Sequence, residues 1–302
     1  MNKFAILFLF LGMAFFGSAT PVSKLVGQEF AVMAAAGARV LLAGIVLLPF
    51  MIWRDKEFYK IAKRDWLLIA GVAVIGNIGF SAFMLYGMKM VSGVMGSIIM
   101  SLTPAVTAMG AVVFMKENIT WRKILALLIG ICGVVIMHVF SGGESASDAG
   151  NAMLLGSALV FAAICCEACY TLMGKAATKD VSPLNLTCLS ALVSGVLLLP
   201  WMLYEFSDFD FAAVGWSDYI ALGWWGVGTM ALGSLLWYSG VEKVPGHIAA
   251  AFMVVMPISA LLLSYILLGE EFRWIHLLGF GLAFLSVLFM TYEHYKNSKK
   301  NS

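Results

Sequence analysis

Charged residues are scarce in this chain, and their scarcity excludes a soluble fold. Lys, Arg, Asp and Glu make up 12% of the 302 residues, whereas hydrophobic types make up 62% and the mean hydropathy is +0.94. A soluble domain is about a quarter charged, so this chain could not cover a water-exposed surface. The composition therefore predicts a membrane-embedded protein.

The sequence also lacks the motifs of common pumps and membrane hydrolases. It contains no Walker loop, nucleophile elbow or His-Glu-x-x-His pattern, which argues against an ATP-driven pump and against a known membrane hydrolase. The five cysteines lie in apolar stretches, which argues against a disulfide framework. Cys166-x-x-Cys169 invites a metal interpretation, but the four histidines are scattered towards helix ends, so we expect no metal and no cofactor.

Long apolar runs, by contrast, occur ten times. Each can cross about 30 Å of hydrocarbon, for which roughly 20 residues are needed. Ten spans with short connections use almost the whole chain, which leaves no room for a soluble module or a nucleic-acid partner. The least certain division is the one at Lys89, between the third and fourth runs. The runs are 4–23, 30–53, 66–88, 90–115, 124–143, 149–174, 181–204, 219–241, 244–269 and 274–292.

Basic residues are distributed asymmetrically among the connections. With the amino terminus inside, 15 of the 19 basic residues fall on the inner side, three fall outside and Arg39 lies within a span. This excess follows the positive-inside rule. It predicts a multi-pass protein of the cytoplasmic membrane with both termini in the cytoplasm. The inner residues are Lys3, Arg54, Lys56, Lys60, Lys63, Arg64, Lys116, Arg122, Lys123, Lys175, Lys179, Lys243, Lys296, Lys299 and Lys300.

The two halves of the chain resemble each other at an offset of 153 positions. The pattern P-x(12)-E-x(3)-W at Pro104 recurs in register at Pro257. Because each half has five spans, the second copy must enter the membrane from the opposite side. The sequence therefore predicts an all-α integral membrane protein whose ten transmembrane helices form two inverted five-helix repeats, 4–143 and 149–292, before a cytoplasmic tail, 293–302. Such repeats permit alternating access to a site near the membrane centre.

These motifs resemble the EamA family of the drug/metabolite transporter superfamily. The segment Ala38–Ala43, centred on Arg39, resembles that family's Arg-centred motif, and Phe16-Gly17-Ser18 resembles its Trp-Gly-Ser in span one. The repeated Pro-to-Glu-to-Trp pattern resembles the ends of its paired domains. The resemblance implies a central cavity lined mainly by spans 1, 3, 4, 6, 8 and 9. It also implies transport of amino acids, sugars, nucleobases, vitamins or cationic compounds.

Glu167 and Arg39 are the two full charges inside the predicted spans. Glu167-Ala168-Cys169-Tyr170 stands where the family commonly has Trp-Ala-x-Tyr, so an acid replaces the usual ring. A carboxylate near the membrane centre costs about 3 kcal/mol and should face a cavity or a partner. Glu167 could carry a proton, bind a cationic group or merely hold helices together. Arg39 differs from it in depth by only about 6 Å, so the two could pair, although we favour a scaffold role for Arg39.

Further candidates follow from their position relative to this acid. Tyr170, three residues away, shares its helix face, and Trp237 lies on span eight; with Glu167 such rings could hold an amine or quaternary ammonium. Aromatic residues near span ends are mostly predicted to be interfacial anchors, and packing against lipid or another helix is the alternative for any single ring. Asn77 could hydrogen-bond either a substrate or another helix. The remaining candidates are Phe16 and Ser18 as substrate contacts, and Pro104 and Pro257 as paired kinks.

The inverted repeat and the acid predict a secondary transporter, and the family resemblance implies that it exports an amino acid or similar small metabolite. The alternative substrate is choline or another cation. Two rivals from other classes are an intramembrane enzyme acting on lipid head groups and a non-transporting sensor or assembly partner. One acid with no nearby histidine argues against an enzyme. The expected partners are the small-molecule substrate and the lipid bilayer, while proton coupling and a homodimer are left open.

Overall fold

The computed structural model describes residues 3–54, 61–115, 148–244 and 252–278, with isolated positions in 121–136 and 281–285. All regular secondary structure in these parts is helical. Most of the predicted fifth and tenth spans, the residue Glu117 and the tail 293–302 lie outside the described residues.

The chain folds into eleven α-helices within the described part, two pairs of which are joined by a π-helical segment. The first π segment, Val72–Gly79, connects α3 to α4, and the second π segment, Trp224–Gly233, connects α9 to α10. The helices are α1 Lys3–Glu29, α2 Val32–Arg54, α3 Lys63–Gly71, α4 Phe80–Met88, α5 Gly93–Met100, α6 Thr103–Met115, α7 Asp148–Ala177, α8 Pro183–Ser207, α9 Trp216–Gly223, α10 Ser234–Val241 and α11 Val255–Leu268.

Seven continuous helical stretches of the described part are long and apolar enough to cross a membrane. The chain is therefore a multi-pass helical membrane protein. An eighth apolar helix, Val255–Leu268, is shorter, so the number of ten spans stays a prediction. The seven stretches are Phe4–Glu29, Val32–Arg54, Lys63–Met88, Gly93–Ala111, Asn151–Ala177, Pro183–Ser207 and Trp216–Val241.

Local sequence signals explain several helix ends. The Ser92 hydroxyl accepts a hydrogen bond from the Met95 amide at the start of α5, and the Ser182 hydroxyl accepts one from the Asn185 amide at the start of α8. Both are N-caps. Gly269 has a φ of +61°, the left-handed conformation that commonly ends a helix. The third and fourth spans are thus separate helices, as the sequence predicted at Lys89.

The two π segments occupy equivalent positions in the two halves. They begin at residues 72 and 224, and they end at 79 and 233, close to the offset of 153 found in the sequence. In a π-helix each amide bonds one residue further back than in an α-helix, a rare arrangement that is frequent at functional sites. A second shared feature is a turn just before each repeated proline, at 101–102 before Pro104 and at 253–254 before Pro257.

The first helix of each half packs against the opposite half. Helix α1 contacts α11, α10 and the second π segment, whereas α7 contacts α4, α6 and the first π segment. The second helices, α2 and α8, pack against each other. This exchange brings residues from both halves to one central space.

The seam between α2 and α8 is close-packed at two reciprocal positions. A Cβ atom added to Gly44 would lie 2.7 Å from the side chain of Leu192, and one added to Gly195 would lie 2.3 Å from that of Leu41. Only glycine permits such approach without displacing the partner. At one end of the seam, the Glu205 carboxylate of α8 accepts a 2.6 Å hydrogen bond from the amide of Ala34 in α2.

Candidate functional site

The central space is a cavity of about 40 Å³ between residues of both halves. It holds a few water molecules at about 10–15 Å³ each, which is far less than the roughly 300 Å³ of a small-ligand pocket. The described conformation is therefore contracted. Its lining comprises Met13, Phe16, Ala19, Arg39, Gly76, Asn77, Phe80, Met100, Glu167, Tyr170, Thr171, Thr229, Met230, Ser234, Trp237 and Met253.

Glu167 lies in the middle of α7 with its side chain partly exposed to this cavity. One carboxylate oxygen lies 3.3 Å from the Thr103 hydroxyl, whose single proton also bonds to the Met100 carbonyl at 2.7 Å. Thr103 begins α6 directly after the turn at 101–102. The break in the fourth span therefore places a hydroxyl beside this acid at the cavity wall.

Arg39 lies on α2 and is 7% exposed. Its Nη1 donates to the Ser81 hydroxyl at 2.6 Å, and its guanidinium carbon is 4.7 Å from the ring centroid of Trp225 and 5.3 Å from that of Phe80. Aromatic faces attract a cation. Its Nε is buried without a hydrogen-bond partner, so part of this donor set is unused.

Arg39 and Glu167 line one cavity but do not form an ion pair. Among the described residues, the contacts of Glu167 include only the Thr103 hydroxyl as a polar partner, and Arg39 donates to Ser81. The depth argument had left pairing open; in the structure the two side chains share the cavity without a salt bridge between them.

Tyr170 and Trp237 bring aromatic surface to the same cavity. The Tyr170 hydroxyl donates to the Ser234 hydroxyl at 2.8 Å, and Tyr238 packs against its ring at 5.5 Å between centroids. Phe16 and Met13, both on α1, also line it. The lining thus combines an acid and a phenol of α7 with apolar groups of α1.

Asn77 and Ser18 have protein partners. Asn77 lines the cavity, but its amide nitrogen donates to the Ser194 hydroxyl of α8 at 3.1 Å, which is a contact between helices. Ser18 is not among the lining residues; its hydroxyl donates to the Phe15 carbonyl and accepts from the indole nitrogen of Trp224. Neither Pro104 nor Pro257 lines the cavity, and both lie just after the helix breaks described above.

Sequence reasoning missed several members of the lining. Trp225 is fully buried beneath Arg39, a packing position that sequence reasoning did not single out. Thr229 and Met230 reach the cavity because the second π segment turns them inward. The glycine-rich runs 76–79 and 223–228 are the signals in the sequence that mark both π segments.

The fold and a family profile together identify the class of this protein. The helices define a multi-pass membrane protein with a charged central cavity. A profile of the EamA-like transporter family matches residues 3–139 and 154–292. The chain therefore belongs to the EamA-like transporter family of the drug/metabolite transporter superfamily, as a cell-membrane transporter and not an enzyme.

Individual proteins agree with this membership. The uncharacterized transporter YetK of Bacillus subtilis (strain 168) is 31% identical over 267 residues, which cover 88% of this chain and 80% of YetK. The S-adenosylmethionine/S-adenosylhomocysteine transporter of Chlamydia muridarum is 23% identical over 309 residues, covering 98% and 94%. A solved crystal structure superposes with a TM-score of 0.68 at 15% identity, covering 98% of this chain and 99% of the other, and shares the fold.

Proposed function

We propose that this protein is a secondary active transporter that exports a zwitterionic small metabolite, an amino acid or a close relative, by alternating access. The observation that carries the substrate class is the pair Arg39 and Glu167. They face one cavity, and neither is in an ion pair with the other. A ligand with one anionic and one cationic group complements both charges at once.

The transport mechanism rests on two inverted repeats, 4–143 and 149–292, with both termini in the cytoplasm. Three features support it: the π segments at nearly equal offsets, the paired helix breaks, and the exchange of α1 and α7 between halves. Two equivalent units around one site can exchange roles, which is the basis of alternating access. The contracted cavity suits an intermediate in which the site is closed and must widen to admit substrate.

The residues have separate roles in this proposal. Glu167 binds the ammonium group and exchanges it for a proton, Arg39 binds the carboxylate through its unpartnered Nε, and Tyr170, Trp237 and Phe16 contact the side chain. Asn77 and Ser18 contribute less to binding because their polar groups already have partners. Pro104 and Pro257 permit the breaks that shape the walls.

Relatives are compatible with this ligand class. The Chlamydia muridarum relative is named for S-adenosylmethionine and S-adenosylhomocysteine, and both compounds carry an α-amino acid group. At 23% identity the name transfers no particular substrate. The name supports a cavity that binds a zwitterionic head group, while the rest of the substrate differs between family members.

Flux into proteoliposomes tests the charge requirement with three matched probes. We compare competition of methionine, its methyl ester, which lacks the anion, and N-acetylmethionine, which lacks the cation, against uptake of labelled amino acids. Methionine should compete at least tenfold better than either derivative, because each lost charge-assisted hydrogen bond is worth roughly 1.5–3 kcal/mol. Arg39→Gln should remove the advantage of methionine over the ester but not over N-acetylmethionine. Equal competition by all three contradicts the zwitterion.

A cation such as choline remains the second candidate, because Tyr170 and Trp237 stand in the same lining as Glu167. Aromatic rings beside an acid form a site for quaternary ammonium groups. Under this alternative, choline should inhibit uptake at least as strongly as methionine does. Arg39→Gln should leave inhibition by choline unchanged.

A further inference from the structure

Helix α5 is capped by an acid from the opposite half of the molecule. Glu270, just beyond α11, accepts hydrogen bonds from the backbone amides of Gly93 and Val94, the latter at 2.8 Å. These amides have no partner inside their own helix, and a carboxylate at a helix N-terminus is favoured by the helix dipole. The contact joins residues 177 and 176 positions apart.

Small residues let α5 and α11 approach closely below this cap. The hydroxyls of Ser97 and Ser264 are 3.2 Å apart, and a Cβ atom added to Gly93 would lie 2.3 Å from the Leu268 side chain. Polar and small side chains make a helix contact that can separate at modest cost, since single hydrogen bonds between helices in membranes average about 0.6 kcal/mol. The cap and this seam together form one closure between the halves.

An open recess lies at the capped end of α5. It measures about 490 Å³ and is lined by residues that include Met95, Ser92, Glu270 and Arg273. Met100, at the other end of the same helix, lines the central cavity. Eight residues of α-helix span about 12 Å. The capped helix therefore runs from the recess to the cavity.

We infer that the Glu270 cap and the α5–α11 seam are the closure of the outer entrance, which must release for the central site to face outward. This inference rests on the alternating access proposed above. The connections 89–92 and 269–273, which meet here, are both on the outer side in the orientation the sequence predicts. Release exchanges two charge-assisted backbone hydrogen bonds for water at the edge of an open recess, so the closure is reversible. Lys24, whose ammonium donates to the Val91 carbonyl, steadies the connection that carries the capped helix.

Cysteine labelling tests the closure without any substrate. Met100→Cys places a thiol in the central cavity, and an impermeant maleimide is added outside intact cells. Peptide mass spectrometry then separates this thiol from the five native ones. Adding Glu270→Gln, whose amide can accept only one of the two bonds, should raise the labelling rate about tenfold. Adding Glu271→Gln, which removes the same charge from the exposed neighbour, should leave the rate unchanged.

Two results overturn the inference: equal labelling in all three backgrounds, or labelling of the cavity thiol from the cytoplasmic side only. If Met100→Cys is not produced as folded protein, Met253→Cys offers a thiol in the same lining. Since no transported compound is involved, this measurement stands even if the methionine competition fails.

A reversible crosslink provides the second test. Ser97→Cys combined with Ser264→Cys places two thiols where hydroxyls are 3.2 Å apart. Oxidation should stop flux of labelled amino acids and reduction should restore it, whereas each single variant should tolerate the same oxidant. Undiminished flux through the crosslinked protein shows that this seam never opens and overturns the inference. Flux that is absent from the wild-type protein too counts against the proposed function, and the labelling then decides the closure.

Discussion

The two π segments have the same backbone distortion but different surroundings. The first, Val72–Gly79, packs against α7, which carries Glu167, and contributes Asn77 to the cavity. The second, Trp224–Gly233, packs against α1, which contributes Met13 and Phe16. The first, more polar wall therefore carries the acid and the amide, whereas the second, more apolar wall carries Met13, Phe16 and Met230, with Thr229 as a polar member. The halves share the backbone geometry that makes a cavity, while the side chains on it have diverged.

Arg39 links the two walls. It lies over the Trp225 ring of the second segment and donates to Ser81, whose own hydroxyl donates to the Asn77 carbonyl of the first. A cation placed between the segments connects the two halves without belonging to an ion pair. The difference between the walls can be tested by substitution, beginning with the largest expected effect.

Loss of the acid on the polar wall should have the largest consequence. Glu167→Gln should abolish flux driven by a pH gradient, at least 100-fold below wild type, because the amide neither takes up nor releases a proton. Exchange of substrate across the membrane should survive with weaker binding, because the ammonium group loses its carboxylate partner. Flux into proteoliposomes with and without an imposed gradient measures both. Met13→Leu, on the apolar wall, conserves volume and should keep both activities. Unchanged pH dependence in Glu167→Gln would refute the proton role.

The reciprocal seam should respond equally from either side. Gly44→Leu and Gly195→Leu should each lower the free energy of unfolding by about 1–3 kcal/mol, since the added atoms overlap Leu192 or Leu41. Unfolding in mixed micelles measures the change. Gly223→Ala is the control, because a Cβ atom there meets nothing within 4 Å. A large loss at one glycine alone would show that the two sides are not equivalent.

Replacing the guanidinium between the walls should have a moderate effect. Arg39→Lys keeps the charge but loses the planar group that stacks on Trp225 and Phe80, and should cost roughly 0.5–2 kcal/mol of unfolding free energy. The same micelle titration measures it. Trp225→Phe keeps a ring under the cation and should cost less than Arg39→Lys at this contact; the reverse order would contradict the stacking.

The smallest effect should come from the hydrogen bond between Asn77 of the first π segment and Ser194 of α8. Ser194→Ala removes the acceptor of Asn77 and should lower the unfolding free energy by about 0.6 kcal/mol. The residue 153 positions after Asn77 is Met230, which has no amide. Met230→Leu should therefore change stability by less than 1.5 kcal/mol through packing alone, with flux retained. A loss above about 2 kcal/mol in Ser194→Ala would indicate a larger network.

The sequence predicted the features that depend on hydrophobicity and on strong local signals. The predicted division at Lys89 is present in the structure: one helix ends at Met88 and the next begins at Gly93. The Ser92 hydroxyl caps the start of the second helix and so favours a new helix there. The breaks before Pro104 and Pro257 follow from missing backbone donors. Apolar runs, capping residues and prolines are local features, so they can be read from the sequence alone.

Contacts between helices could not be predicted from the sequence. Depth alone brought Arg39 and Glu167 near one level, but the rotation of each helix decides whether they meet, and that rotation is set by packing against several neighbours. The π segments depend on the same packing. The burial of the Trp225 ring has the same origin, since it follows from the close approach of α2 to the second π segment.

The interlocked glycines of α2 and α8 also limit how the molecule can deform. Separating these helices would open a void at Gly44 and another at Gly195, and would strip the carboxylate of Glu205 from the Ala34 amide. Sliding the two helices past each other would move Leu41 and Leu192 away from the glycines and against larger side chains of the partner helix. The movement with the lowest cost keeps this pair together, and in the transport cycle proposed above the other helices would rotate about it.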